Sequence, residues 1–386
     1  MLNFFILIIV CFAHINIANA SVDFKAKNAM ILDYNNFEII YNTKNIREKA
    51  VPSSMTKVMT SYLIFELLDN RLLKLDDKYK VSIRAWRQTG SRMYLEPEKQ
   101  VTIDDLLKGM IVQSGNDSAV VLAEGAYGGI KDFVNEMNDM AKKLGMKNTH
   151  YANPNGLFED NHYMSTYDTA LLMYNLIKNH KTYYDKYYSI PSFTYNNITQ
   201  RNRNVLINTY KGMDGGKTGH TDEGGYSMVS SAVRHGQRFI VVVNGLNNET
   251  ERAKETEKMF DYAFSLYKYV DLYKKGEIVE SVNVIDGDKN FLNVYTPVDI
   301  VYSTKRENIT NLKVVLVLDN NIKAPILKDS VVGYIVIQDG EKITKFELLA
   351  KNEINKLTLY DKFVLKVNRI YRFLNSLTIK KEEVKK

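Results

Sequence analysis

The apolar positions change their period several times along the chain. Residues Phe4 to Phe12 form an unbroken apolar run, and Ala18-Asn19-Ala20 follows it with small residues at its first and third places. The run is too short to span a bilayer comfortably, so the pattern predicts a signal peptide over residues 1–20. No Lys or Arg precedes the run, which leaves an uncleaved N-terminal anchor as the alternative. Ala29 to Asp33 and Glu38 to Tyr41 then flank the turn Tyr34-Asn35-Asn36 and predict a β-hairpin. Pro52-Ser53 opens a helix that runs through Met55, Val58, Met59, Tyr62, Leu63 and Leu67. Helical periodicity returns over Ile103–Val112, Ser118–Tyr127, Ile130–Leu144 and Thr166–Ile177. Tyr226 to Val233 and Arg238 to Asn244 read as strands around the turn His235-Gly236-Gln237, and a helix is expected over Glu251–Tyr267. Helices enclosed between an early and a late hairpin predict a mixed α/β domain over residues 21–268, an antiparallel sheet flanked by helices.

From about Lys274 the helical period disappears. Val282 to Ile285, Val298 to Tyr302, Leu312 to Val317 and Val331 to Ile337 are short β-branched runs, and they predict a small all-β domain over residues 274–355. The remaining segment, 357–386, changes again. Phe363, Val367, Ile370, Leu374 and Leu377 recur at spacings of four and three, with Val364 and Tyr371 beside them and Lys362, Lys366, Arg369 and Arg372 between them. That is an amphipathic basic helix, suited to an anionic membrane surface. The plainer alternative is a helix packed on a domain or paired in a coiled coil. Its end, from Lys380, is charged and expected to fray.

The 386 residues suffice for two domains and a short extra segment, and 45% apolar content supports packed cores. The net charge of +7 is a mild excess. No basic stripe is interleaved with stacking aromatics, so nucleic acid is not an expected partner; a membrane surface or an anionic wall polymer fits the charge as well. Cys11, the single cysteine, lies in the segment predicted to be removed. A mature chain without a thiol excludes thiol catalysis, disulfides and cysteine-ligated metals. The six histidines show no H-E-x-x-H spacing, which argues against a zinc peptidase.

Three short motifs bring in the chemistry. Ser54-Met55-Thr56-Lys57 stands at a predicted helix start, Ser114-Gly115-Asn116 follows a predicted helix, and Lys217-Thr218-Gly219 is expected to precede a strand. Residues three apart on a helix differ by about 60° in direction, so the Ser54 hydroxyl and the Lys57 amine share a face. A serine hydroxyl needs an adjacent base, and a lysine becomes one only when burial or a second cation lowers its pKa. Met55, Val58 and Met59 are placed to exclude water, and Lys217 to supply the second cation. A helix N-terminus at Ser54 also aims backbone N–H groups at a developing oxyanion. Each motif alone is common, and a lone S-x-x-K is usually a capped helix with a solvated lysine. The three together, in this order, form the ordered set associated with class A β-lactamases and penicillin-binding proteins.

The chain resembles the low-molecular-mass penicillin-binding proteins of the D-alanyl-D-alanine carboxypeptidase type. The resemblance extends to Lys217-Thr218-Gly219-His220-Thr221 with Gly225-Tyr226, to Asn155-Gly156-Leu157 before Ser165-Thr166-Tyr167-Asp168, and to Gln200-Arg201-Asn202-Arg203-Asn204. It covers most of residues 25 to 265, while the β domain and tail match less specifically. It implies that Ser54 attacks the carbonyl between two D-alanines of a peptidoglycan stem peptide and forms an acyl-enzyme, with Lys57 accepting its proton. Ser114 and Lys217 would relay protons, and Asn116 would hydrogen-bond the substrate amide. Lys217, Thr218 and Gly219 would line the substrate, with Thr218 on its terminal carboxylate. The N–H groups of Ser54 and His220 would form the oxyanion hole. Arg252 would stand near the substrate carboxylate; a surface arginine is its alternative. Water would release the shortened peptide without metal or organic cofactor, and β-lactam antibiotics would inhibit. The location implied is periplasmic, peripherally attached to the outer face of the cytoplasmic membrane. One departure is Gly216, where an aliphatic residue is more usual and a loosened strand entry is expected. A β-lactamase with Glu159 as a candidate water-positioning group, an endopeptidase using the same residues, and a non-catalytic membrane-bound wall-binding module remain the competing readings.

Overall fold

The computed structural model describes residues 23–319 and 322–371, apart from positions 365 and 369. The predicted signal peptide, Cys11, Leu374, Leu377 and the frayed end lie outside the described residues. The chain begins with the hairpin β1 (Asn28–Asp33) and β2 (Glu38–Asn42), followed by a 3₁₀ turn, Ser53–Thr56, and α1 (Lys57–Asp69). A mostly helical stretch follows: β3 (Lys78–Lys80), α2 (Ile83–Trp86), β4 (Gln100–Thr102), α3 (Ile103–Val112), α4 (Asn116–Tyr127) and α5 (Ile130–Lys143). It continues with β5 (Thr149–His150), β6 (Tyr163–Met164), α6 (Thr166–Asn179), α7 (Lys181–Tyr187) and the hairpin β7 (Ser192–Tyr195) and β8 (Ile198–Arg201). Three long strands, β9 (Met213–Thr221), β10 (Gly225–Arg234) and β11 (Gln237–Leu246), and α8 (Glu249–Leu266) complete this part.

The main sheet has the order β2-β1-β11-β10-β9 and is antiparallel throughout. Its strand alternation sorts side chains into two cores. Met30, Leu32, Ile240 and Val242 face the helical layer that contains α1 and α3–α6. Ala29, Ile31, Phe239, Val241 and Val243 face α8 through Met259, Phe260 and Ala263. Local signals set the helix ends: Thr102 Oγ1 accepts the N–H of Asp105 at 3.1 Å, Ser165 Oγ that of Asp168 at 3.1 Å, and Asn248 Oδ1 that of Glu251 at 2.8 Å. The helix expected to reach Tyr267 ends at Leu266, because Tyr267 starts a strand.

The smaller domain consists of β12 (Tyr267–Tyr273), β13 (Ile278–Asn283), β14 (Phe291–Tyr295), β15 (Ile300–Lys305), β16 (Lys313–Leu318), β17 (Val331–Asp339) and β18 (Lys342–Ala350). A five-stranded sheet, β13-β14-β18-β17-β16, packs with the β12–β15 ribbon around Leu292, Val294, Tyr302, Ile335, Ile337 and Leu348. It starts at Tyr267 rather than near Lys274, since Tyr267–Tyr273 pairs along Ile300–Lys305. Lys342 Nζ meets Glu38 at 2.5 Å and Asn36 Nδ2 donates to Ser303 O at 3.4 Å across to the larger domain. The terminal helix starts after Thr358, whose N–H donates to Asp361 at 3.0 Å, and Lys362 Nζ lies 3.0 Å from Asp286. Leu359, Tyr360, Phe363, Val367, Ile370 and Tyr371 are exposed on it. Among the described residues no helix is long and apolar enough to cross a membrane.

Candidate active site

The Ser54 turn is 3₁₀ rather than α-helical, and α1 proper begins at Lys57. A 3₁₀ turn has three residues per turn, so positions 54 and 57 eclipse more closely than in the α-helix expected from sequence. Lys57 Nζ lies 2.9 Å from Ser54 Oγ, 2.6 Å from Asn116 Oδ1 and 2.5 Å from the carbonyl of Asn155. Asn116 Nδ2 donates to Thr89 O at 2.6 Å, which fixes its oxygen toward the lysine. A neutral amine fits this set: two N–H groups donate to the Asn116 and Asn155 oxygens, and the lone pair faces the Ser54 hydroxyl. Met55, Val58 and Met59 are buried beside it. Burial pulls the amine from 10.5 to about 7, against an opposing pull from the Asp117 carboxylate. The second cation expected to act on Lys57 is not what lowers it. The repulsion is seen on Lys217, held well below its usual range first by burial and then by Lys57, Arg252 and Arg203.

Lys217 lies inside β9, not before a strand, and its Nζ donates to Ser114 Oγ at 2.8 Å and to Thr218 O at 3.0 Å. Ser114 takes a left-handed φ of +67° between α3 and α4, turning its hydroxyl to β9. Gly216 does not loosen the strand: at φ +148° it lies so close to β10 that a Cβ would stand 2.4 Å from Val229 O. A Cβ on Gly219 would be 3.0 Å from Ser53 Cβ, so β9 lies directly on the Ser54 turn. Ser54, Ser114, Asn116, Thr218, Gly219 and His220 all border one cleft of about 370 Å³. Three unconnected segments thus converge on it, from the α1 turn, the α3–α4 junction and an edge strand.

The family model described as D-alanyl-D-alanine carboxypeptidase matches residues 15–248, and that of the penicillin-binding protein 5 C-terminal domain matches residues 267–356. The chain belongs to the D-alanyl-D-alanine carboxypeptidase family. It is 38% identical over 345 residues to the D-alanyl-D-alanine carboxypeptidase DacF of Bacillus subtilis, covering 86% of each chain. It is 33% identical to DacA of Escherichia coli K12 over 88% of this chain and 86% of that one. Penicillin-binding protein 5 of Haemophilus influenzae superposes with a TM-score of 0.79 at 31% identity, over 86% of this chain and 98% of the other. Penicillin-binding protein D2 of Listeria monocytogenes, solved in an ampicillin-bound form, gives a TM-score of 0.58 at 32% identity over 63% of this chain and 98% of that one.

In this carboxypeptidase the remaining site residues fall as follows. Arg252 is not a surface arginine: it is 4% exposed, borders the cleft, and has its guanidinium 3.9 Å from Glu249. The exposed His220 ring lies tilted by 34° against Tyr226, with centroids 4.0 Å apart. Glu159 is exposed, takes a hydrogen bond from Asn153 at 3.1 Å and does not border the cleft. Sequence reasoning gave no role to Asn155, whose contribution is a backbone carbonyl that carries no residue signature. It also gave no role to Arg203, which donates to Ser91 Oγ at 3.4 Å, although the stretch Gln200-Arg201-Asn202-Arg203-Asn204 carries part of the resemblance. His162 was missed altogether. It is buried, its Nε2 lies 2.8 Å from Thr56 Oγ1, and its Nδ1 accepts the N–H of Ala152 at 3.3 Å. Burial, helped by His150 and Lys57, lowers its pKa to about 4, so it is neutral.

Proposed function

We propose that the carboxypeptidase reaction runs through an acyl-enzyme on Ser54, with Lys57 as the base. The observation that carries this is the buried amine of Lys57, held by the Asn116 and Asn155 oxygens 2.9 Å from Ser54 Oγ and lowered by burial to about 7, so that its neutral form can take the serine proton. Ser54 Oγ attacks the carbonyl of the penultimate D-alanine of a peptidoglycan stem peptide, Lys57 takes its proton, and the N–H groups of Ser54 and His220 receive the oxyanion. The Ser114–Lys217 pair returns a proton to the departing D-alanine. Thr218 and Arg252 hold its carboxylate, Asn116 meets the peptide amide, and Lys217 and Gly219 form the wall beside it. Water then cleaves the ester and frees Ser54. No metal or organic cofactor enters the reading. β-Lactams, which mimic the substrate amide, acylate the same serine; the ampicillin-bound relative supports this.

Residues 1–20 are read as an export signal, placing the mature enzyme in the periplasm. The exposed apolar residues of the terminal helix are read as a peripheral attachment to the outer face of the cytoplasmic membrane. Removing residues after Lys356 should then release an active enzyme from membranes; unchanged association would count against the attachment. For the chemistry, the mature protein is incubated with labelled penicillin and with a peptide ending in D-alanyl-D-alanine. D-Alanine release and a stable label are expected, and both should vanish in Ser54→Ala. A label that persists in that variant would remove Ser54 as nucleophile. Rapid penicillin turnover without D-alanine release would favour a β-lactamase, which the position of Glu159 outside the cleft argues against.

A further inference from the structure

Strand β16 is one of the two edges of the smaller domain's main sheet, the other being β13. It pairs only with β17, in a register unbroken from Lys313↔Gln338 to Leu318↔Gly333. Alternate peptide groups on its other side are therefore unpaired among the described residues. Edge strands are commonly blunted by proline, a bulge or an internal charge. This one has none of the three: Lys313 is its sole charge, at one end, and Val314, Val315 and Val317 are 37%, 51% and 48% exposed. Val315 and Val317 lie on the outer face opposite Val336 and Tyr334, the latter 40% exposed, so an apolar stripe runs up to the open edge.

The segment Lys313–Asp319 reads Lys-Val-Val-Leu-Val-Leu-Asp, which complements itself when turned end for end. A two-fold axis beside Leu316 sets Leu316 against its own copy, Val315 against Val317, Val314 against Leu318, and Lys313 against Asp319. Every cross-strand pair is then apolar with apolar or cation with anion, the combinations that stabilise antiparallel sheets. A shift by one residue reverses the faces, and a shift by two in either direction separates the two charges, setting one opposite a valine and the other opposite an asparagine. We propose that β16 is a homophilic contact, on which a second copy of this chain adds edge to edge and antiparallel, joining two five-stranded sheets into one. No residue of the contact borders the catalytic cleft. A pair of six-residue edges buries less than the roughly 1,200 Å² of a stable interface. The dimer is therefore weak in dilute solution and forms where chains are locally concentrated.

The register supplies the test. In full-length Cys11→Ser protein, Val315→Cys chains are mixed with Val317→Cys chains under mild oxidation. The mixture should yield at least tenfold more disulfide-linked dimer than either variant alone. Lys313→Asp in both partners should cut that yield severalfold, and Lys313→Asp with Asp319→Lys in both should restore it. An unchanged circular dichroism spectrum and unfolding midpoint of each variant show that the fold is intact. Equal cross-linking alone and mixed, none at any concentration, or no recovery with the swapped charges would overturn the proposal. Protection of the β16 amides from hydrogen exchange that does not vary with protein concentration would place another part of the same chain on the edge, and would overturn it as well.

Discussion

Asn116→Asp places a carboxylate where the Lys57 amine now meets an amide oxygen at 2.6 Å. At an effective dielectric constant of about 20, opposite charges at that separation attract by about 6 kcal/mol. That corresponds to about 4 pKa units. It is enough to cancel the fall from 10.5 to about 7 that burial produces in the native protein. The neutral fraction of Lys57 at pH 7 should drop from about half to below about one in a thousand. The assay is the second-order rate of labelling by a fluorescent penicillin between pH 5 and 10. For the native enzyme the rate should rise about tenfold per pH unit below about 7 and level off above it. The rate of the variant should still be rising at pH 10 and be about a thousandfold lower at pH 7. The bond from Asn116 Nδ2 to Thr89 O is lost too, which costs about 1–3 kcal/mol of stability and is read separately by thermal unfolding. A variant that slows while its midpoint stays near 7 would refute Lys57 as the base and leave Asn116 a substrate contact only.

His162→Gln tests a buried neutral imidazole. The folded-state pKa, about 4, lies below the ordinary 6.5, so the unfolded chain binds the proton more readily. Stability is therefore full above about pH 6.5 and falls as pH drops toward 4, by about 3 kcal/mol in all; urea unfolding of the variant should lose most of that acid-side slope. Gly156→Ala forces a side chain into a residue at φ +82° with Ser53 O only 1.9 Å from the new Cβ. It should cost more than about 2 kcal/mol by denaturant unfolding and reduce penicillin labelling, since the shift falls on the nucleophile turn. Arg252→Gln should raise KM for the D-alanyl-D-alanine peptide about tenfold or more in the D-alanine release assay, with a much smaller effect on a substrate whose terminal carboxylate is amidated.

The elements that sequence resolved were those with strong local signals. Ile103–Val112 is a helix to the residue, because Thr102 caps it and its apolar face has a clean period. The hairpin of β1 and β2 and the turn at His235-Gly236 were equally clear. Strand β9 was not, because Gly215, Gly216 and Gly219 remove the β-branched pattern a buried strand usually shows. Helix α7 was hidden by three tyrosines in seven residues, of which Tyr183 and Tyr187 stack on Phe65 of α1 and Tyr184 donates to Asp214 of β9. The motif residues Ser54, Lys57, Ser114, Asn116 and Lys217 were legible as triplets and do meet in space. What sequence could not supply was the inner support: the Asn155 carbonyl, the burial that lowers Lys57, and the His162–Thr56 pair behind the turn. These depend on contacts between segments about a hundred residues apart, and no local spacing records them.

The strand order β2-β1-β11-β10-β9 has a consequence for when the enzyme becomes active. Asn28 pairs with Asn244, so β1, the first strand of the main sheet, has its inner neighbour made last of the five. A chain emerging N-terminus first holds β1 and β2 as a lone hairpin, which is marginal in water. The same wait applies to the turn at Ser54, whose lid strand β9 and second lysine arrive only with residues 213–221. Such non-local pairing makes closure slow. Ser54 and Lys57 are therefore made together and early, while Lys217 and His220 join them only with β9, and a chain that stops before residue 213 lacks that half of the cleft.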